Sequence, residues 1–139
     1  MLSAKTEYAC LALMQLAEAY AEGKPVQASR LASVGRIPEG FLVQILQELK
    51  RAGLVQSTRG ACGGYRLAQP PEQVSLGDAI DLIDGAPSQG SNLSQPTAQA
   101  EALLSVCEEA AHAERESLRG VTLSELANRA TAPAEMWYI

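Results

Sequence analysis

Residues 37–68 read IPEGFLVQILQELKRAGLVQSTRGACGGYRLA, which predicts a helix followed by a hairpin. The apolar side chains of the first half recur at helical spacing and predict an inner stripe of Phe41, Leu42, Ile45, Leu46 and Leu49. Pro38 is tolerated in the first turn of this helix, and Gly53 is typical of a residue that ends one. In the second half, LVQST and YRLA predict two short strands, and RGACGG supplies the glycines that a tight turn requires.

Two further helices are predicted before this stretch. The first runs from Ser3, a typical N-cap, to about Glu22 and is apolar around most of its circumference. The second, QASRLASV, is short and stops at Gly35. A short helix, a turn and a longer helix form a helix-turn-helix pattern, to which the hairpin adds a wing. We therefore expect a mainly α fold with a small β-hairpin, a winged helix-turn-helix, whose wing turn contains Gly60, Cys62, Gly63 and Gly64.

The chain is expected to divide into three parts. Residues 1–85 form the winged helix-turn-helix domain, residues 86–97 a flexible polar loop, and residues 98–139 a long dimerisation helix with a C-terminal helical segment. An apolar stripe on the long helix has little remaining chain to cover it, which predicts pairing with a second copy. The expected homodimer interface contains Leu103, Val106, Cys107, Ala110 and Leu118. The apolar end of the chain, EMWYI, is expected to dock on the body or on the partner.

Charge is distributed unevenly along the chain, whose formal net charge is −5. Residues 1–66 hold eight basic and five acidic side chains, whereas the remainder holds three basic and eleven acidic ones. A polyanion needs only one locally positive face, so the amino-terminal half predicts a surface for double-stranded DNA. The acidic half would suit a basic partner, which leaves open the alternative that the winged helix is a protein-interaction module.

The predicted DNA-reading residues lie on the outward face of the third helix and on the wing. Gln44 can form two hydrogen bonds to adenine, Val43 can contact a thymine methyl group, and Gly40 permits a close approach to the groove. An arginine on a slim wing can enter the minor groove, for which Arg59 is the candidate. The complete set of expected DNA-binding residues is Gly40, Val43, Gln44, Gln47, Lys50, Arg51, Arg59 and Arg66. The alternative for this set is a solvated helix face beside a plain hairpin.

Three cysteines, Cys10, Cys62 and Cys107, are too widely spaced for a disulfide framework or a CxxC metal pair. Cys62 lies in the wing turn near two arginines that favour the thiolate, which leaves open a thiol-based redox response. Cys10 is interpreted as a small hydrophobe of the first helix, and Cys107 as part of the dimer interface.

Catalytic, metal-binding and membrane functions have little support in the sequence. One histidine and no nucleophile–base pair predict no catalytic residue and no metal ligand, so the protein is not expected to be an enzyme. Asp78, Asp81 and Asp84 have helical spacing and are predicted to form a solvated face. No run of about eighteen apolar residues occurs, and Glu7 interrupts the apolar start of the chain, so the expected compartment is the cytoplasm.

The stretch at residues 37–68, followed by VSLGDAIDLIDG, resembles the Rrf2 family of bacterial transcription regulators. SAKTEYACLALMQLA near the start and VTLSELA near the end resemble it too. The resemblance implies a dimeric winged-helix repressor or activator on partly palindromic promoter sites, with the third helix in the major groove and the wing arginine in the minor groove. By position, Gly40, Val43, Gln44 and Arg59 fall at groove-reading sites, and Val43 stands where a glutamate is common.

The resemblance also bears on cofactors, because cluster-binding members hold three cysteines in the loop before the long helix. The corresponding loop here, APSQGSNLSQPTAQAEALLS, contains neither cysteine nor histidine. Glutamine, serine and threonine are poor ligands for an iron–sulfur cluster. We therefore expect a member of the family that lacks the cluster and has no cofactor, with an unidentified small-molecule effector left open.

Overall fold

The computed structural model of the protein describes residues 2–85 and 90–131. The described helices and strands are, in chain order, α1 (Ala4–Ala19), α2 (Ala28–Gly35), α3 (Glu39–Arg51), β1 (Val55–Thr58), β2 (Gly64–Leu67), α4 (Leu76–Asp84), α5 (Ala98–Arg119) and α6 (Leu123–Thr131). Short 3₁₀ turns extend α1 and precede α4. The predicted mainly helical fold with one small hairpin is confirmed. The predicted docking of EMWYI lies outside the described residues.

A leucine-rich core joins the first three helices to the wing and to the last helix. Apolar side chains recur on one face of each helix, so packing those faces together removes them from water. The fully buried leucines are Leu13, Leu16, Leu31, Leu42, Leu46, Leu49, Leu67 and Leu123. Leu123 belongs to α6, which packs against α1, so the chain returns to the winged-helix body after the long helix α5.

The turn between α2 and α3 depends on a close contact with α1. The side-chain Nε2 of Gln15 donates a hydrogen bond of 2.9 Å to the Leu31 carbonyl oxygen. A Cβ at position 35 would lie 2.7 Å from that Nε2, so a larger residue where α2 ends would displace the Gln15 side chain from this hydrogen bond. The left-handed residue of the turn is Arg36, whose φ is +56°, a region that costs a non-glycine residue some strain.

The wing is held to the body through the segment that precedes α2. Strands β1 and β2 pair antiparallel, with Val55 opposite Leu67 and Thr58 opposite Gly64. Val26 then exchanges two backbone hydrogen bonds of 2.8 Å with Tyr65 on the free edge of β2. A short piece of chain next to α2 thus acts as a third strand and fixes where the wing stands relative to the helices.

The prediction that Phe41 belongs to the inner stripe of α3 is wrong. Phe41 is 54% exposed, and its ring meets the ring of Tyr8 edge-on, with centroids 6.3 Å apart. Phe41 directly precedes the buried Leu42, and consecutive helical residues point about 100° apart. Phe41 therefore flanks the buried stripe instead of facing the core. Its neighbour on this flank, Glu48, forms an ion pair of 2.6 Å with Lys5 of α1.

The long helix α5 lies mostly in solvent, and none of its residues is buried within the described chain. Thr97 caps its start by accepting a hydrogen bond of 3.1 Å from the backbone N–H of Ala100. Of the described elements, α4 makes the most extensive contact with α5. Among the described residues, no helix combines the length and the apolar character needed to cross a membrane.

Candidate nucleic-acid interface

The outward face of α3 carries polar and basic side chains and one exposed glycine. Gly40, Gln44 and Gln47 are exposed, and a Cβ added to Gly40 would meet no atom within 4 Å. Val43 is half-buried at the edge of this face. The buried stripe of α3 turns these side chains away from the core, because residues at i, i+3 and i+4 share one side of a helix.

The carboxyl end of α3 adds positive charge to the same helix. Lys50 and Arg51 lie in its last turn and are exposed. Cations at this end interact favourably with the helix dipole, and on a DNA-reading helix they would face phosphate groups. We therefore expect these two residues to contribute affinity and not base selectivity.

The two wing arginines occupy different environments. Arg59 follows the last residue of β1 and is exposed at the start of the wing turn. The guanidinium carbon of Arg66 lies 5.7 Å from the centre of the Tyr20 ring, a cation–π contact with the body of the protein. Arg59 is the wing arginine that projects from the fold, whereas the DNA contact predicted for Arg66 stays a prediction.

The wing turn has a backbone that only glycine accommodates at particular positions. Gly60 has a φ of +104°, and its carbonyl oxygen accepts a hydrogen bond of 2.9 Å from the N–H of Gly63. A Cβ at Gly63 would overlap the carbonyl oxygen of Thr58. The side chain of Gln27 donates a hydrogen bond of 3.3 Å to the Ala61 carbonyl oxygen, which attaches the turn to the segment before α2.

Sequence reasoning missed Arg36 as an exposed cation of the helix-turn-helix motif. Arg36 is exposed in the turn between α2 and α3, three residues before α3 begins at Glu39. The usual signal for its left-handed backbone is glycine or asparagine, and this position carries neither. The only cue is an arginine directly after the predicted end of α2.

The three cysteines occupy three separate environments. Cys10 is buried in α1, whereas Cys62 in the wing turn and Cys107 on α5 are exposed. Burial raises the pKa of the Cys10 thiol from 9.0 to about 11, and the negative charge of Asp84 adds to that rise. Cys10 is therefore a protonated, poorly nucleophilic thiol at neutral pH, as the sequence predicted for a small buried hydrophobe.

We expect iodoacetamide at pH 8 to modify Cys62 far faster than Cys10 in the folded protein. The same burial also makes the stability of the protein depend on pH. The pKa of the Cys10 thiol is higher in the folded protein than in the unfolded chain, so its contribution to the free energy of unfolding is fully present below pH 9 and is lost as the pH rises from 9 to about 11. Mass spectrometry of timed samples measures both rates, and the same reaction in urea is the control. Equal rates for the two cysteines in the folded protein would contradict the burial of Cys10.

The prediction that Asp78, Asp81 and Asp84 form a solvated face holds for Asp78 and Asp84, which are exposed, but not for Asp81, whose side chain is 24% exposed. Asp84 accepts a hydrogen bond from the buried hydroxyl of Thr6, which joins the end of α4 to the start of α1. Asp81 forms ion pairs with Arg115 and Arg119 of α5. Helical spacing in the sequence shows that the carboxylates share a side of α4, but not that Asp81 meets two arginines of α5 or that Asp84 meets Thr6 of α1.

The predicted dimer residues lie on an uncovered part of α5. Leu103 is 65% exposed and Val106 is 64% exposed, although both are large apolar side chains. Cys107 and Ala110 are exposed beside them, and Leu118 is half-buried. An exposed apolar face of this kind is typical of a protein–protein interface. The pairing of two copies through this face of α5 stays a prediction.

Comparison with known proteins places the chain among regulators. A sequence model of the Rrf2 family, described as an iron-dependent transcriptional regulator, matches residues 2–129. A Mycobacterium tuberculosis protein described as an HTH-type transcriptional regulator is 48% identical over 84 residues, which cover 60% of this chain and 52% of that protein. The chain thus spans about half the length of this curated relative.

Two solved structures are similar over most of their length. The IscR protein of T. potens superimposes with a TM-score of 0.77 at 30% identity, covering 99% of this chain and 96% of that one. CymR of B. subtilis, described as the global cysteine regulator of that organism, has a TM-score of 0.76 at 31% identity, with 93% and 97% covered.

Among the described residues, the three cysteines do not converge on one site that could hold an iron–sulfur cluster. A cluster needs several thiolate or imidazole ligands at one point, yet Cys10 lies in the core, Cys62 on the wing and Cys107 on α5. Within residues 2–85 and 90–131, no group of three or more histidine, cysteine, aspartate or glutamate side chains is arranged to hold a metal ion.

Proposed function

The chain belongs to the Rrf2 family, and we propose that it regulates transcription by binding double-stranded DNA as a homodimer at palindromic promoter sites. The observation that carries this proposal is that α3 exposes a polar face, with Gln44 and Gln47, and that the wing exposes Arg59. A helix of this form fits the major groove, and the wing reaches the adjacent minor groove. The proposed DNA-binding set is that of the sequence analysis, with Arg59 as the wing contact.

Each class of contact would have a separate role. Gln44 and Gln47 have the paired donor and acceptor that adenine recognition requires, and Val43 offers an apolar contact for thymine. Lys50 and Arg51 would hold the phosphate backbone and fix the register. A valine at position 43 cannot accept a hydrogen bond from cytosine, so we expect a base preference different from that of members with glutamate there.

The homodimer is proposed from the exposed face of α5. Pairing through Leu103 and Val106 would remove both side chains from water and give the molecule two recognition helices. Two copies related by a twofold axis read two half-sites about one DNA turn apart, which explains why palindromic sites are proposed. The cytoplasm, where DNA and reduced thiols occur together in bacteria, is the proposed compartment.

Regulation without a cluster is part of the proposal. The scattered cysteines support a regulator that carries no iron–sulfur centre, so control would come from an effector. A redox response through the exposed Cys62 is the specific alternative, because oxidation there would enlarge the side chain in the wing turn.

The test is a selection of DNA fragments from the source genome, followed by binding measured by fluorescence anisotropy over a salt series. We expect Arg59→Ala to weaken binding to the selected duplex by about 1–3 kcal/mol, or roughly 5- to 150-fold, and to change binding to random duplex much less. The matched control is Arg129→Ala, which removes the same charge from α6, where Arg129 pairs with Glu125.

The outcomes separate the candidate functions. Selective binding that falls with salt and depends on Arg59 supports the regulator, since counterion release makes DNA affinity salt-dependent. Equal loss in both arginine variants would reject a specific role for the wing. No binding to any duplex, by reduced or oxidised protein, would reject DNA binding and favour the protein-interaction module.

A further inference from the structure

The backbones of α4 and α5 meet at a tight junction. A Cβ on Gly77 of α4 would lie 2.6 Å from the backbone nitrogen of Arg119 and 2.9 Å from its Cα, so only glycine permits this approach. The hydroxyl of Ser75 donates a hydrogen bond of 3.0 Å to the Arg119 carbonyl oxygen. The N–H of Leu76 donates one of 2.7 Å to the carbonyl oxygen of Val121. These contacts hold the end of α5 against the start of α4.

Ion pairs one turn further along both helices fix the direction of α5. Asp81 of α4 binds Arg115 through one carboxylate oxygen and Arg119 through the other, the second contact measuring 3.1 Å. Arg119 also lies 3.6 Å from Asp78 and 2.6 Å from Glu116. The hydrogen bonds that Arg119 donates to Asp81 and Glu116 raise the pKa of its guanidinium. One aspartate thus bridges two consecutive turns of α5.

The rest of α5 projects from this junction as an arm. No residue of α5 is buried within the described chain, and of the described elements α4 makes the most extensive contact with it. Leu103 and Val106 precede Arg115 by twelve and nine residues, or about 18 Å and 14 Å along the helix. A tilt of about 10° at the junction would move Leu103 by about 3 Å, close to the rise of one DNA base pair of about 3.4 Å.

We propose that Asp81 is a positioning residue that sets which spacing between two DNA half-sites the protein accepts, by holding α5 at one angle to the winged-helix body. The inference rests on the proposed function, in which two copies pair through the arms. The pairing then places each recognition helix at a distance that depends on the angle between arm and body. Asp81 selects a spacing and touches no base.

The partial exposure of these ion pairs explains why replacing Asp81 should change the accepted half-site spacing and not the free energy of unfolding. Asp81 and Arg115 each retain 24% of their side-chain exposure, and Arg119 retains 41%. Partly exposed ion pairs contribute little to the free energy of unfolding. The body keeps its core and its recognition helix when Asp81 is changed, so each half-site should be read as before while the arm loses its fixed angle.

The test is selection from a library of random duplexes, which yields the half-site sequence and the spacing together. We expect the wild-type protein to enrich two inverted half-sites at a single spacing. Asp81→Asn should enrich the same half-site sequence at several spacings. The ratio of affinities for the preferred site and for one lengthened by a base pair should fall by about fivefold or more. Asp81→Glu should restore the single spacing.

Two controls make the outcome decisive. Glu125→Gln breaks an ion pair of 3.1 Å within α6 and should leave the spacing unchanged. If circular dichroism shows that Asp81→Asn does not fold, the same selection is carried out with Arg119→Gln, which removes part of the same ion-pair network. A single, unchanged spacing in a folded variant overturns the role of Asp81. Failure of the wild-type protein to enrich any duplex overturns the proposed function instead.

Discussion

Replacing Leu46 by alanine is expected to lower the free energy of unfolding by about 2–5 kcal/mol, the cost of a large-to-small change in a packed core. Leu46 lies in the middle of α3 and is fully buried, so the lost methyl groups would leave a cavity between helices. For a domain with a total stability of about 5–15 kcal/mol, this loss is a large part of the whole.

Urea unfolding followed by circular dichroism measures this change. Protein concentration must be held constant, because a dimer gains stability by mass action. The control is Gln47→Ala, the adjacent exposed position of α3, where a change within about 0.5 kcal/mol is expected. A loss below about 1 kcal/mol for Leu46→Ala would mean that α3 is not packed as described.

The second large effect is expected at the wing, where Gly63→Ala should lower affinity for the selected duplex by about tenfold or more. The added Cβ would overlap the Thr58 carbonyl oxygen and crowd Arg59, so the turn must open, at a local cost of about 1–3 kcal/mol. Opening displaces Arg59 from the position that the minor-groove contact requires. The helices are not touched, so thermal unfolding of the body should change much less than DNA binding.

Gly120→Ala is the matched control for this prediction. The nearest atom to a Cβ at position 120 is the Ser117 carbonyl oxygen at 3.5 Å, an ordinary contact, and the φ of this glycine is −75°. Anisotropy titrations of both variants against the same duplex give the comparison. Wild-type affinity in Gly63→Ala would show that the wing turn does not position the DNA contact.

The pattern of the sequence predicts the elements well and their partners poorly. Helical spacing and the glycines of the wing turn were sufficient for α1, α2, α3 and the hairpin, because each signal is local. The partners of Asp81 lie 34 and 38 residues away on α5, and no local pattern encodes such a distance. Phe41 was misplaced for a related reason, since an apolar residue beside a buried stripe resembles a member of it.

The candidate DNA-binding surface was predictable to a similar degree. Exposure of Gln44 and Gln47 follows from the period of α3 alone, because the opposite side of the helix is apolar. The environment of Arg66 does not follow from a local pattern, because Tyr20, whose ring contacts its guanidinium, lies 46 positions earlier in the chain. The left-handed backbone of Arg36, whose φ is +56°, also escapes prediction, because arginine is not a residue that favours this region.

The pairing of Val26 with the free edge of β2 has a consequence for kinetics. The two backbone hydrogen bonds join the wing to the segment just ahead of α2, so the wing is tied directly to the first helix of the helix-turn-helix motif. A preformed DNA-binding surface of this kind rearranges little when it binds a duplex, because most of the loss of conformational entropy has already occurred during folding. We therefore expect association to be fast and governed by electrostatic steering, with differences between DNA sequences appearing mainly in the dissociation rate.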